Sequence, residues 1–447
     1  MKLNQLLAAT SLFAATPVLA QTPATTPSAP ETVTVIHAGT ILTDPGRALI
    51  RSGSIVVRGK TISEVRDGYI DVPDAEVIDL RDATVMPGLM DSHVHLAGNN
   101  DRLRSIMTQM TRDGEDEVLL AYKNARITLS AGFTSVRDAG GAPRAVFTLR
   151  DEINAGSIPG PTILAAGRMV SVSGGHGDPR NSISRDFHDT LPHPGVCDGP
   201  EDCRRAVREQ ISSGADLIKI ASTGGVLSNV AGGLNQQMMD DELAAVVATA
   251  KTFGRKVASH SHGVNGVNAA LRAGVDSIEH GTFTDDESFA LYKKSGIYWV
   301  PTLVAGLGAL RDGERGVLTP AQYAKAKQAA DNAQKSLQRA VRDGNVKIAF
   351  GTDAPVYPHG LNADEFELMV KNGMKPIDAI RTATVNTADL FGISENAGTI
   401  APGKWADIIA VKGDPLADIT LMKKIDFVMK WGQIFKLNGK RHLTTAD

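Results

Sequence analysis

Short apolar runs alternate with longer segments of helical periodicity through the middle of the chain. From residue 84 onwards, eight runs of strand length are followed by segments with the 3.6-residue repeat of a helix. Strands and helices in alternation predict parallel strands joined by crossover helices, and eight such units are what a (β/α)8 barrel requires. We therefore predict an α/β fold with a TIM-like (β/α)8 barrel over residues 84–392.

The two ends of the chain have a different pattern. Residues 33–83 and 393–447 contain short β-type runs that are separated by glycine, aspartate and proline, a pattern typical of β meanders. Because these two segments flank the barrel, we expect them to pair with each other. The prediction is one small β-sandwich domain built from both chain ends.

The first residues have the pattern of an export signal. Lys2 precedes the apolar stretch Leu6–Ala15, and small residues end at Ala20, so residues 1–20 are predicted to be a removable signal peptide. An N-terminal helix or membrane anchor is the alternative, but the apolar stretch is too short for a hydrocarbon core of about 30 Å. Residues 21–32 are rich in proline and threonine, which predicts an unstructured linker. We expect an exported, periplasmic protein.

The composition of the chain mainly serves to exclude partners and classes of protein. The 447 residues include 47 lysines and arginines against 50 aspartates and glutamates, a formal net charge of −3. No basic excess is available to neutralise a phosphate backbone, so we expect no nucleic-acid partner. Beyond the N-terminus, no apolar run is long enough to predict a membrane span. The two cysteines, Cys197 and Cys203, could pair in an oxidising compartment and close a small loop, with two free thiols as the alternative.

Histidines fall where the predicted strands end, which is where a barrel carries its active site. His93 and His95 end the first strand, and alternation along a strand places both side chains on the same side. Two imidazoles at this spacing can hold one metal ion, although a pair of core or surface histidines is the alternative. His260 ends the fifth strand, His280 ends the sixth, and Asp353 follows the eighth. The convergence of these groups predicts a metal site.

Lys219 lies in the middle of a predicted buried strand, between Ile218 and Ile220. An ammonium ion is costly to bury, so either the side chain reaches water or its pKa falls. A neutral amine can react with carbon dioxide to give a carbamate, an anionic ligand able to bridge two metals. With imidazole and oxygen ligands, zinc or another borderline divalent ion is the expected metal.

Several segments resemble those of the amidohydrolase superfamily with a binuclear metal centre, and the resemblance extends from about residue 33 to about residue 435. They are PGLMDSHVHL, GFTSVRDAGG, GADLIKIASTGGV, GTDAPVYPHG and the C-terminal NTADLFGISENAGTIAPGKWADIIAVKGDP. The last is similar to that of imidazolonepropionase-like members. The prolidase-like subgroup, which includes Xaa-Pro dipeptidases, related carboxypeptidases and bacterial ochratoxin-degrading amidohydrolases, is resembled by GFTSVRDAGG, GADLIKIASTGGV and GTDAPVYPHG.

The resemblance implies two divalent metal ions, for which zinc is expected, and it assigns protein ligands to each ion. The first ion would be bound by His93, His95 and Asp353. The second would be bound by His260 and His280. A carboxylated Lys219 and a hydroxide would bridge the two ions. Asp353 would also be the catalytic residue, taking the proton of the hydroxide and passing it to the leaving nitrogen.

Four further residues are predicted to contact the substrate: His262, His176, Ser222 and Tyr298. His262 should share the face of His260, with a supporting contact to a ligand as the alternative. His176 belongs to the long segment Ser171–Gly199, which looks like a substrate loop over the barrel mouth. After the second strand, Arg137 and Asp138 are interpreted as part of a structural salt bridge rather than as catalytic residues.

The predicted function is metal-dependent hydrolysis of an amide bond next to an amino-acid carboxylate. Xaa-Pro dipeptides and N-acyl amino acids such as ochratoxin A fit this description. By resemblance, deaminases carry a glutamate near the strand-five histidine, whereas His260 is followed by Ser261, His262 and Gly263. Hydrolysis of a cyclic amide or lactone is the alternative, and a periplasmic binding protein on an inactive scaffold is a third interpretation. The expected partner is a small molecule or dipeptide, and the resemblance implies a homo-oligomer.

Overall fold

The computed structural model describes residues 32–442, apart from residues 47, 102, 106–110, 112, 182, 191, 192 and 231. The predicted signal peptide, and the predicted linker up to residue 31, lie outside the described residues. Within the described part of the chain, no helix combines the length and the apolar character needed to cross a membrane.

The strands lie in three sheets, and their bounds are β1 Val33–Ile41, β2 Ile50–Arg58, β3 Thr61–Asp67, β4 Glu76–Pro87, β5 Leu89–Val94, β6 Phe133–Asp138, β7 Thr162–Ala165, β8 Leu217–Ala221, β9 Lys256–Ser261, β10 Ser277–His280, β11 Tyr298–Val300, β12 Lys347–Ile348, β13 Ile408–Lys412, β14 Ile425–Lys430, β15 Gln433–Leu437 and β16 Lys440–Arg441.

Most helices separate consecutive parallel strands, and the helix bounds are α1 Gly114–Ser130, α2 Pro143–Ala155, α3 Pro200–Ser212, α4 Asp240–Thr252, α5 Val264–Ala273, α6 Asp286–Ser295, α7 Leu303–Glu314, α8 Pro320–Asp343, α9 Asp364–Lys371, α10 Pro376–Arg381 and α11 Thr387–Phe391. One π turn, Thr382–Asn386, joins α10 to α11, and 3-10 turns cover Arg185–Thr190 and Ile419–Lys423.

Eight parallel strands form the central part of the molecule, in chain order. Strands β5 to β7 make one sheet and β8 to β12 make another. Isolated bridges connect the two sheets: Val94 of β5 pairs with Ala354, beyond the end of β12, and Val170, beyond the end of β7, pairs with Ile220 of β8. The mixed α/β class is as predicted, and the parallel order brings the carboxyl ends of the strands to one side of the molecule.

Both ends of the chain contribute to one eight-stranded sheet, in the order β16-β15-β14-β13-β4-β1-β2-β3. Strand β4 lies inside it, parallel to β1 and antiparallel to β13. Alternate residues of these strands, among them Ile36, Ile55, Ile408 and Phe427, pack in one buried cluster. Strand β4 continues to Pro87, past the predicted domain boundary at residue 83, and leads directly into β5.

Cys197 and Cys203 are joined by a disulfide, as the oxidising-compartment interpretation expects, and both are fully buried. The small ring that they close connects the end of the loop Ser171–Gly199 to the start of α3. Inside the ring, Asp198 accepts hydrogen bonds from the backbone nitrogen and Oγ of Ser173, at 3.0 and 2.6 Å. These two hydrogen bonds tie the start of the loop to its end, and the disulfide fixes that end to α3.

Candidate metal centre and active site

A cavity of about 500 Å³ opens at the carboxyl ends of the parallel strands. One of its walls is made of ionisable side chains: His93, His95, His176, Lys219, His260, His262, His280 and Asp353. The fold thus brings together all six predicted metal ligands and two of the four predicted substrate contacts.

The end of β5 places His93 and His95 beside Asp353. Oδ1 of Asp353 lies 3.1 Å from Nε2 of His95 and 3.5 Å from Nε2 of His93. The backbone nitrogen of Asp353 donates to the carbonyl of His93 at 2.7 Å. Asp353 itself has φ 57°, in the left-handed region, which turns the chain after the eighth strand so that the carboxylate faces the two imidazoles.

A second group of imidazoles comes from β9 and β10. The ring of His260 lies 4.7 Å from that of His262 and 4.6 Å from that of His280. One candidate ligand atom from each of these three residues lies within 4.8 Å of the others, and the same holds for His93, His280 and Asp353. The two groups share His280, and each of them could hold a metal ion.

The donor chemistry supports an ion at this place. Nε2 of His260 is buried and has no hydrogen-bond partner among the described residues, and an unsatisfied buried nitrogen calls for a ligand. Nδ1 of His280 is hydrogen-bonded to Thr302 Oγ1 at 2.8 Å. Nδ1 of His93 donates to Glu279 Oε2 at 2.9 Å. These outer contacts orient the rings and leave Nε2 available, as in metal-binding histidines generally.

Burial decides the charge of four of the histidines, whereas at His95 burial lowers the pKa but the hydrogen bond with Asp353 and the nearby carboxylates raise it overall. The pKa values of His93, His260, His262 and His280 lie well below 6.5. Burial is the main cause, and the charges of neighbouring groups are the second. These four rings are therefore neutral at neutral pH, and the neutral imidazole is the form that binds a metal.

The lysine and the carboxylate of the site are shifted as well. Burial lowers the pKa of Lys219 to about 8, and its Nζ lies 3.5 Å from Nε2 of His93. Burial raises the pKa of Asp353, but the hydrogen bond with His95 and the charges around it lower this pKa overall. At neutral pH the site thus offers a carboxylate and a fraction of free amine.

Glu279 is a supporting residue that the sequence pattern did not indicate. Its Oε1 accepts from Arg137 Nη2 at 2.6 Å while Oε2 accepts from His93, and both charged side chains are buried. The structural salt bridge expected for Arg137 is confirmed, with Glu279 as its partner. Asp138 instead accepts from the backbone nitrogens of Leu96 and Gly140. Alternation would place Glu279 and His280 on opposite faces, but His280 has φ 69°, so the extended conformation ends there.

Replacing Glu279 with glutamine is expected to weaken metal affinity by about 10–100-fold, because the carboxylate that orients His93 and neutralises Arg137 is lost. A competition titration against a colorimetric chelator measures this change. Glu287→Gln, at an exposed site on α6, is the matched control. Unchanged affinity in folded Glu279→Gln would contradict the supporting role.

His176 reaches the site from the loop Ser171–Gly199. Its ring stacks on that of His260, with 4.1 Å between centroids, and its backbone nitrogen donates to Gln237 Oε1 at 2.9 Å. The ring rests against Gly225, where an added Cβ would lie 2.3 Å from it. Burial lowers the pKa of His176 to about 4. His262, whose Nδ1 is hydrogen-bonded to Thr282, lines the same cavity.

Ser222 and Tyr298 are not brought to the cavity. Tyr298 is the first residue of β11, so it lies at the end of the strand opposite to the site, where its hydroxyl donates to Asp389 at 2.7 Å. Ser222 follows β8 but its Oγ donates to the carbonyl of His260 and lies 2.7 Å from Ser261 Oγ, between two strands. Neither side chain belongs to the cavity wall formed by the described residues, which corrects the expected substrate contacts.

Comparisons with known proteins agree with this geometry. Ochratoxinase of Aspergillus niger is 33% identical over 429 residues, 91% of this chain and 87% of that protein. The crystal structure of a Xaa-Pro dipeptidase with bound methionine in the active site matches with a TM-score of 0.86 and 41% identity, over 91% of this chain and 100% of that one. The crystal structure of the A. niger ochratoxinase gives a TM-score of 0.78 and 30% identity, over 91% and 96%.

The family itself follows from a match over most of the sequence. The model of the amidohydrolase family matches residues 84–436, the segment that contains every candidate metal ligand. The resemblance inferred from the sequence motifs is confirmed, and the relatives include both ochratoxinase and a Xaa-Pro dipeptidase. The chain belongs to the amidohydrolase family, as a hydrolase that acts on amide bonds.

Proposed function

We propose that this protein hydrolyses the amide bond next to an amino-acid carboxylate, in dipeptides such as Xaa-Pro or in N-acyl amino acids such as ochratoxin A. The observation that carries the proposal is the fully buried Lys219 among imidazoles, 3.5 Å from Nε2 of His93. A lysine placed there has no solvent to stabilise its charge, so it is suited to modification rather than to a surface role.

Two divalent ions, with zinc as the expected metal, fit the donor set of imidazoles and one carboxylate. The residues that would hold them are His93, His95, Lys219, His260, His280 and Asp353. When bound, the ions would supply an activated water and a Lewis acid for the amide carbonyl.

Lys219 would act as a carbamate. Because burial lowers its pKa to about 8, a fraction of the amine is neutral at neutral pH. The amine lone pair attacks carbon dioxide, a new N–C bond forms, and one proton leaves to solvent. The carbamate anion provides the negative charge that neutral histidines lack.

Asp353 would move the proton. Its carboxylate is ionised at neutral pH and lies within 3.1 Å of His95 at the cavity surface, so it can accept a proton from the attacking water. An amide nitrogen leaves poorly as an anion. The same carboxyl group can then deliver that proton to the leaving nitrogen.

The substrate contacts that remain proposed are His176 and His262, which line the cavity beside the ligand histidines. Two relatives support the substrate class: ochratoxinase, and a Xaa-Pro dipeptidase with methionine bound in its active site. Free amino acids of this kind are products of the hydrolysis that we propose.

The proposal also includes the closed barrel fold, the β-sandwich and export of the protein. The bridges Val94–Ala354 and Val170–Ile220 support closure of the two parallel sheets into one (β/α)8 barrel over residues 84–392. The single buried cluster of the eight-stranded sheet supports a β-sandwich. The disulfide supports export to an oxidising compartment such as the periplasm, because disulfides persist there.

A hydrolysis panel tests the proposed function. The zinc-loaded protein is incubated with Gly-Pro, Phe-Pro, N-acetylphenylalanine, ochratoxin A and one cyclic amide, and free amino acid is quantified by chromatography. We expect release of free amino acid from the four substrates with a linear amide, each of which carries a carboxylate. Cleavage of the cyclic amide alone would replace the proposal with ring opening.

A further inference from the structure

The cavity has a second wall whose chemistry differs from that of the histidine wall. It is formed by helices α7 and α8, and the residues that face the cavity are predominantly alanine. We call it the alanine wall and define it as Ala305, Ala309, Ala326, Ala329, Ala330 and Ala333. On α8 these alanines recur every three or four residues, so they share one helix face.

The alanine wall is held in place from several sides. Lys325 Nζ donates to two carbonyls of the loop 225–229, at 2.9 and 2.8 Å, and Gln322 Nε2 donates to a third at 2.6 Å. Towards the other end of α8, Ser336 Oγ donates to the carbonyl of Thr282 at 3.0 Å. Helix α8 is thus anchored to the loops that follow β8 and β10, so a larger side chain on this face would enter the cavity rather than push the helix away.

Helix α7 has little freedom to move either. An added Cβ at Gly306 would lie 3.4 Å from the Cβ of Ala330, and one at Gly308 would lie 2.1 Å from the carbonyl oxygen of Val356. Glu365, which is fully buried, accepts from the backbone nitrogens at the start of α7, at 2.9 and 2.8 Å. The small residues therefore serve close helix packing and also leave room in the cavity.

The histidine wall opposite differs in chemistry, because it carries the candidate metal site. His260 is only 5% exposed, and its Nε2 has no hydrogen-bond partner in the described part of the chain. The cavity therefore joins unsatisfied polar groups on one wall to an apolar surface on the other. Val226 and Leu227 extend that surface and pack with Ala309 and Ala326.

We propose that the alanine wall is the subsite for a bulky apolar group of the substrate, an aromatic ring or branched aliphatic group attached to the scissile amide. This inference rests on the proposed amide hydrolysis and narrows its substrate class. Methyl groups offer apolar contact without hydrogen-bond donors or acceptors, so an apolar group is favoured there and a charged group is excluded.

The test replaces one alanine of the alanine wall with a larger side chain. Ala329→Leu and Ala333→Leu are compared with Ala324→Leu, a control at an exposed position of the same helix. The substrates are N-benzoyl-phenylalanine and N-acetylalanine, with N-benzoylglycine and N-acetylphenylalanine to show which side of the amide meets the wall. We expect kcat/KM for N-benzoyl-phenylalanine to fall about 10–100-fold in at least one wall variant, with N-acetylalanine changed less than about threefold.

Binding provides a readout that does not depend on turnover. Calorimetry measures the affinity of N-benzoyl-phenylalanine and N-acetylalanine for the unmodified protein and for each variant. Selective loss of the benzoyl compound in a wall variant that melts like Ala324→Leu supports the subsite. Equal losses for both compounds, or no loss in either wall variant, would overturn it. If the unmodified protein cleaves neither these compounds nor the Xaa-Pro dipeptides, the hydrolysis proposal fails, while the binding comparison still decides the subsite.

Discussion

Replacing Lys219 with alanine is expected to lower kcat/KM for a linear amide substrate by about 10³-fold or more. The reason is electrostatic: under the proposed mechanism, the site would lose an anionic bridging ligand and keep the imidazoles plus one carboxylate. Metal assistance contributes several kcal/mol to transition-state stabilisation, and about 4 kcal/mol corresponds to a 10³-fold change in rate. Steady-state kinetics of the zinc-loaded variant, with metal content measured in parallel, gives the result.

Two controls separate the charge of Lys219 from its packing. Lys251→Ala, at an exposed position near the end of α4, should retain full activity. Millimolar acetate should restore part of the activity of Lys219→Ala, because a small carboxylate can occupy the space left by the carbamate. In the unmodified protein, ¹³C-bicarbonate should produce a carbamate resonance that Lys219→Ala lacks. Full activity of Lys219→Ala would exclude the two-metal mechanism.

Removing the metal is expected to abolish amide hydrolysis and also to destabilise the fold. A candidate ligand atom of the buried His280 lies within 4.8 Å of one from His93 and of one from His260, so removal of the ions would leave closely spaced nitrogens without the cation that binds them. A ligand present at 1,000 times its Kd stabilises the native state by about 4.1 kcal/mol, so chelation should lower Tm by several degrees. Dialysis against a chelator, followed by calorimetry and by the linear-amide assay, measures both effects.

Adding back one metal at a time identifies the ion. It also shows whether the loss of activity came from metal removal or from the chelator itself. Zinc should restore both activity and Tm, because neutral imidazole ligands prefer a borderline ion, whereas magnesium should restore neither. In Glu279→Gln, more zinc should be needed for the same recovery. Undiminished hydrolysis after complete metal removal would contradict the proposed function, whatever the change in Tm.

The local sequence pattern was sufficient to identify the candidate metal ligands. His93 and His95 are two residues apart on one strand, and Lys219 lies within an apolar strand of five buried residues. Period-two alternation is a local rule, so it gives the face of each side chain without knowledge of the neighbours. The C-terminal strand ends of a parallel α/β fold then bring such residues to one place.

The prediction of substrate contacts was limited by errors in the predicted strand boundaries. Strand β11 has only three residues, Tyr298–Val300, so an error of two residues exchanges the two ends of the strand. Tyr298 was expected at the site but begins the strand, while Thr302, just beyond its end, contacts His280. Ser222 was placed correctly after β8 but is turned between strands towards Ser261.

What the sequence by itself determined is the order of strands and helices, the amidohydrolase motifs and the six candidate ligands, since each depends on residues close together in the chain. Only the tertiary structure decided the contacts between distant residues. Arg137 meets Glu279 across 142 positions, Gly225 supports His176, and two helices combine their alanines into one wall. Such contacts depend on how the elements pack, and the chain carries no periodic signal for that packing.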